Sequence, residues 1–152
     1  MATIYEKLQE MRIELPVPAA PVAAFVPTVR TGNLLFVSGH IAKRNGKSWA
    51  GQLGAGISTD EGRQAARSAA IDLLATLHHE LGELTRVRRI VKLVCFVSSA
   101  PQFTEQHLVA NGASEFLQEV FGPGGLHARS AVGVAQLPLG SCVEIEIVAE
   151  IR

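Results

Sequence analysis

An arginine among small and apolar neighbours is the residue of this chain that most needs a chemical explanation. Arg129 lies in His127-Ala128-Arg129-Ser130-Ala131-Val132-Gly133-Val134-Ala135, a run that favours a β-strand. A guanidinium there is partly desolvated, and a buried charge without a partner costs on the order of several kcal/mol. One solution is an ion pair with Glu144 or Glu146, within the chain or between copies. The other is a carboxylate ligand, whose two oxygens match the planar fork of the guanidinium. The residues alone favour the ion pair. Glu144 falls on the next strand, after Pro138-Leu139-Gly140, a connection short enough for the two strands to pair. Taken by itself it reads as a solvated glutamate of an amphipathic strand; beside Arg129 it could orient a water or carry a proton.

Other chemical signals are weak. No Cys/His spacing fits a structural metal site, and the adjacent His78 and His79 cannot both face one ion, so no metal is expected. Gly51-Gln52-Leu53-Gly54-Ala55-Gly56 fits neither the dinucleotide nor the phosphate-loop pattern and reads as a plain loop. Ser38-Gly39-His40 is not a nucleophile elbow. Arg86, Arg88, Arg89 and Lys92 cluster, but aromatics are only 5% and the 14 basic residues match 14 acidic ones. A solvated basic edge is expected there, with no nucleic-acid partner. No apolar run approaches the ~20 residues that span a bilayer, so no membrane partner is expected. The first residues carry no secretory pattern. Cys95 and Cys142 lie in apolar runs and read as free thiols of a reducing compartment, which makes the cytoplasm the expected location.

The elements that must position these residues can be read from periodicity. The 152 residues are 47% hydrophobic and 18% charged, enough apolar material for the core of one domain. Thr3 and Glu6 form a capping box for a short helix over 3–13, with Leu8 and Met11 on one face. Pro16, Pro18 and Pro21 then hold the chain extended. Strands are expected over 25–30 and 34–41, joined at Thr31-Gly32-Asn33. After the Asn45-Gly46 turn a short strand is expected over 48–53. Ser58 and Glu61 cap a helix over 59–81, whose stripe of Ala65, Ala66, Ala69, Ala70, Leu73, Leu74, Leu77 and Leu81 stops at Gly82. Residues 89–97 form a strand apolar on both faces. A second long helix is expected over 102–121, ended by Gly122-Pro123-Gly124-Gly125. Strands over 128–136 and 142–151 follow. The last alternates Val143, Ile145, Ile147, Ala149 and Ile151 with Glu144, Glu146, Val148 and Glu150. Two helices cover one face of such a sheet. The other face of strand 89–97 has no remaining element to cover it, so an oligomer is expected.

The run His127 to Pro138, followed by Val143-Glu144-Ile145-Glu146, resembles the C-terminal signature of the reactive-intermediate deaminase family, also called YjgF-type or endoribonuclease L-PSP. Phe36-Val37-Ser38-Gly39-His40-Ile41, Val91 to Val97 and Asn111 to Glu115 support the match. The resemblance runs from about residue 25 to the end, leaving 1–24 as an N-terminal extension and 25–152 as a single domain. It implies an α+β, chorismate-mutase-like mixed β-sheet with two helices on one face, packed as a homotrimer with sites between subunits. It also implies hydrolysis of 2-enamine/2-imine acids such as 2-aminoacrylate to 2-oxo acids and ammonia, without metal or organic cofactor. Carried onto this chain, Arg129 holds the substrate carboxylate and Glu144 positions water or moves a proton. Ser38, Gly39, Phe25, Asn111 and Ala131 line the pocket. Three positions depart from the family pattern: Phe25 stands where many deaminating members have tyrosine, Ala131 where cysteine is common, and His127 where proline is usual. The expected function is therefore an imine/enamine deaminase. The alternative is a non-catalytic module that binds a small carboxylate. A ribonuclease is suggested only by the family label, and the balanced charge argues against it.

Overall fold

The computed structural model describes residues 1–21 and 23–152. The chain opens with α1 (Ile4–Glu10), started by the reciprocal Thr3–Glu6 capping box, and Leu8 is buried in the core. Strands β1 (Thr28–Thr31) and β2 (Leu34–Ile41) form a hairpin across Gly32-Asn33. β1 starts later than residue 25 because Pro27 has no N–H to give to a ladder; Val26 and Pro27 only accept, from the Ser38 hydroxyl and amide. Two short ribbons follow, β3 (Lys43–Arg44) with β4 (Lys47–Ser48), and β5 (Gln52–Leu53) with β6 (Gly56–Ile57). The strand expected over 48–53 is thus broken, at Gly51, whose φ of 139° leaves the strand region.

Helix α2 (Thr59–Leu81) has the expected bounds, with its Ser58–Glu61 capping box and Gly82 at its C-terminal end. Ala65, Ala66, Ala69, Ala70, Leu73, Leu74 and Leu77 are all fully buried. β7 (Val87–Ser98) leads to α3 (Gln106–Phe121) and then to β8 (Ala128–Val134). α3 begins four residues later than the expected 102. The preceding residues are instead held in a turn, with Phe103 N–H donating to Ala100 O and the Gln106 side chain donating to Phe103 O. β9 (Val143–Ile151) closes the sheet.

The five-stranded sheet has the order β1-β2-β9-β7-β8. β7, α3 and β8 form a crossover unit, so β8 runs parallel to β7 at the sheet edge. β9 then inserts antiparallel between β2 and β7. This corrects the expectation that the strands carrying Arg129 and Glu144 pair with each other: β7 separates them. The Pro138–Gly140 turn does not close a hairpin. It carries the chain over the end of β7, with Leu139 at φ 58°, and Cys142 N–H is bonded to Trp49 O.

The two long helices lie on one face of the sheet, and Val143, Ile145, Ile147, Ala149 and Ile151 of β9 face them. No helix among the described residues covers the other face, which is bare there. Val29, Phe36 and Val132 are 55%, 45% and 43% exposed there, beside the partly exposed Val94, Phe96 and Val148. The chain is a mixed α+β fold, with one main sheet and three α-helices among the described residues. Among the described residues, no helix is long and apolar enough to cross a membrane.

Gly112 sits where α3 crosses α2, and a methyl there would run into the Arg63 backbone carbonyl. Glycine to alanine in a helix interior normally stabilises by about 1 kcal/mol. Here the sign should reverse: Gly112→Ala should destabilise by roughly 1–3 kcal/mol through overpacking, read as a lower denaturant midpoint at unchanged slope.

Candidate functional site

Arg129 points from the edge strand β8 toward α3. Its Nη1 donates to Asn111 Oδ1 at 2.8 Å and to Ser114 Oγ at 3.1 Å, and Nη2 donates to the His107 carbonyl at 3.1 Å. Arg129 and Leu93 are neighbours across the β7–β8 ladder, and Leu93 is fully buried. The guanidinium therefore lies on the helix-facing side of the sheet. Among the described residues it forms no ion pair, so the expected bond to Glu144 or Glu146 within the chain is absent. The reason is the strand order together with the pleat. Glu144 lies two strand spacings away, about 10 Å, and between the inward-facing Val143 and Ile145 it points to the bare face.

The three groups that fix Arg129 are neutral. They take three of its five N–H groups without cancelling its charge. Nε has no partner among the described residues, and Nη2 has a second hydrogen to give. These two nitrogens share an edge of the guanidinium, and that edge can take both oxygens of a carboxylate. Ala131 follows two residues along β8 on the same face, partly buried against the core.

Glu144 belongs to a second cluster. It stands opposite Ile41 on β2 and Phe96 on β7. The β2–β9 register shifts between Val37 and His40, so Ser38 and Gly39 lie in a bulge, a device that re-aims side chains. A Cβ on Gly39 would meet the Glu144 carboxylate where it now lies, so glycine lets that carboxylate rest against the bulge, and a larger residue would push it aside. The Ser38 hydroxyl donates to Val26 O at 2.7 Å, tying the segment that carries the half-exposed Phe25 to the bulge. Burial raises the Glu144 pKa above the ordinary carboxylate value, and the neighbouring Glu146 charge adds to it. A carboxylate that holds its proton more tightly is a better base.

The predicted site residues thus form two clusters: Arg129, Asn111 and Ala131 in one, Glu144, Ser38, Gly39 and Phe25 in the other. One chain does not bring them together. A groove of about 580 Å³ beneath α1, lined by Tyr5, Leu8, Leu15, Ala75 and His78, includes neither cluster. Sequence reasoning missed Ser114, the His107 carbonyl and a role for His127. Ser114 lies three residues after Asn111 on α3 and one helical turn along the same face, which was the available signal. The backbone carbonyl left none. His127 contacts Ser114 through Nε2 at 2.9 Å. Neither cysteine is poised as a nucleophile, since burial pushes the Cys95 thiol up to about 12 and that of Cys142 up to about 11.

The family described as "YjgF/chorismate_mutase-like, putative endoribonuclease" matches residues 6–151. Protein TCP17 of Trypanosoma cruzi is 48% identical over 147 residues, 95% of this chain and 92% of that protein. A 2-iminobutanoate/2-iminopropanoate deaminase of Dermatophagoides farinae is 27% identical over 145 residues, 92% of this chain and 95% of the relative. Among solved structures, the Agrobacterium tumefaciens protein Atu1372, described as of unknown function, superposes with a TM-score of 0.91 at 42% identity, covering 98% of this chain and 92% of that one.

His40 and His127 both titrate below the ordinary imidazole value of 6.5, in each case chiefly because burial disfavours the charged ring; the Arg129 charge adds to the effect at His127. The unfolded chain therefore binds protons first as pH falls. The stability these two histidines contribute is full above about pH 6.5 and is lost as pH drops through their folded-state values. Urea unfolding between pH 5 and 8 should show this slope. The double variant His40→Gln/His127→Gln should flatten it, and an unchanged slope would exclude these two groups.

Proposed function

Because the chain belongs to the YjgF/chorismate-mutase-like family, we propose that it is a deaminase that hydrolyses small 2-imino and 2-enamine acids to 2-oxo acids and ammonia. The observation that carries this reading is the open edge of Arg129: a guanidinium held by three neutral acceptors, with its charge uncancelled and two N–H groups on one side left to give. The iminobutanoate/iminopropanoate deaminase relative supports it, through the activity its name states.

The site is completed between copies. Three copies packed through their bare sheet faces would bury Phe36, Val94, Phe96, Val132 and Val148, and would bring the Arg129 edge of one copy beside the Glu144 bulge of the next. Arg129 then binds the substrate carboxylate side-on. Asn111 and Ser114 keep the fork in plane, and Ala131 and Phe25 supply apolar walls. The imine carbon is already electrophilic, so no covalent nucleophile is needed. Glu144 accepts a proton from water as its oxygen attacks that carbon, giving a tetrahedral carbinolamine. The same carboxyl returns the proton to nitrogen and then takes the proton of the new hydroxyl as the C–N bond breaks, so the C=O of the 2-oxo acid forms and ammonia leaves, receiving that last proton as ammonium. Fixing the carboxylate and the water supplies proximity and orientation, and a closed cleft strengthens the arginine–carboxylate attraction by excluding water. No metal or organic cofactor takes part in these steps, and the two buried thiols suit a reducing cytoplasm.

The test generates 2-aminoacrylate in situ with a dehydratase and follows 2-oxo acid formation. The protein should accelerate its appearance. Glu144→Gln should lower turnover by ~100-fold, the loss of a general acid–base step, while still binding a 2-oxo acid. Arg129→Lys keeps the charge but loses the fork, so substrate affinity should fall with the oligomer intact. Carboxylate binding without acceleration would instead identify a carboxylate-binding module.

A further inference from the structure

Arg129 is aimed by a chain of hydrogen bonds that reaches beyond the groups touching it. Ser114, only 5% exposed, accepts from Arg129 Nη1 at 3.1 Å. Its own hydroxyl hydrogen must go elsewhere, and His127 Nε2 lies 2.9 Å away. The other ring nitrogen, His127 Nδ1, is 2.7 Å from the Gly125 carbonyl. A carbonyl oxygen can only accept, so Nδ1 carries the proton, and in the neutral ring Nε2 is the acceptor. Every bond then runs in one direction: Arg129 donates to Ser114, Ser114 to His127, and His127 to Gly125.

We propose that His127 is a positioning residue: held as the Nδ1–H tautomer by the Gly125 carbonyl, it fixes the Ser114 hydroxyl and thereby the orientation of the Arg129 fork. This rests on the reading of Arg129 as the carboxylate-binding group. Gly125 suits its part. It is buried, and a Cβ there would strike the Leu117 backbone carbonyl, so the turn that presents its carbonyl is packed tightly onto α3. The charged group facing the ring is Arg129 itself; burial of the ring and, less, that positive charge favour the neutral imidazole the relay needs and outweigh the Gly125 hydrogen bond, which acts the other way. With Nε2 protonated, Ser114 would face two donors, Nε2–H and Nη1–H, and its hydroxyl hydrogen would lose its acceptor.

Two variants separate positioning from packing. His127→Gln can place Oε1 near the position of Nε2 and accept from Ser114; His127→Leu fills similar space and accepts nothing. Nitrogen-15 spectra should show His127 as the Nδ1–H tautomer and the Arg129 guanidinium with restricted rotation. The leucine variant should free that rotation and weaken 2-oxobutanoate binding by roughly tenfold, the order expected for a lost hydrogen bond in a charged network. The glutamine variant should restore both, and combining His127→Leu with Ser114→Ala should cost no more than either alone. An Nε2–H tautomer, or a leucine variant that binds like the parent, would overturn the relay while leaving the deaminase reading standing. If the parent protein binds no 2-oxo acid, the carboxylate reading falls. The relay is then decided by the arginine signals alone: freed by leucine and restored by glutamine in support, unchanged in refutation.

Discussion

A positive charge held by neutral groups is the constraint around which this fold is arranged. Arg129 is bonded to an amide oxygen, a hydroxyl and a backbone carbonyl, so it is fixed in place while its charge is not cancelled and two of its five N–H groups stay free to donate. All three partners come from α3, at Asn111, Ser114 and His107. That geometry requires β8 to lie under α3 at the sheet edge, which the parallel β7–α3–β8 crossover provides. Had β8 paired with β9 in a register that put both side chains on one face, Glu144 could have cancelled the charge, and the site would have been an internal ion pair with nothing left to bind a ligand.

The same topology places the second cluster elsewhere. Inserting β9 between β2 and β7 puts Glu144 against the Ser38–Gly39 bulge, and the pleat turns it to the bare face of the sheet. The two clusters are separated by a strand and by the thickness of the sheet. A site that uses both needs a second copy, and the bare apolar face offers the surface on which copies can meet. Assembly and chemistry are therefore one requirement in this account.

Much of the local structure was legible in the residues. The capping boxes at Thr3–Glu6 and Ser58–Glu61, the alanine–leucine stripe of α2 and the alternation of β9 each state their own element, because each rests on neighbours in sequence. The start of α3 was not legible, since side chains around Phe103 and Gln106 compete with the first helical turn. Nor was the separation of β8 from β9. A short connection usually joins paired strands, and here only the packing of α3 decides that β8 goes to the far side of β7. For the site, Arg129 and Asn111 could be singled out in advance, but the ion pair the residues favoured does not form within the chain. Ser114 and His127 gained their meaning only once α3 and β8 were brought face to face.

The most direct measurement of the central claim, that Arg129 and Glu144 act together from different copies, is complementation between two inactive variants. Arg129→Ala and Glu144→Gln proteins, dissociated, mixed and reassembled, should form mixed trimers in which one cleft carries both native residues, returning up to about a third of the native deaminase rate. If reassembled mixtures stay as inactive as the separate variants while light scattering shows that mixed trimers have formed, the site does not span two copies and the account fails.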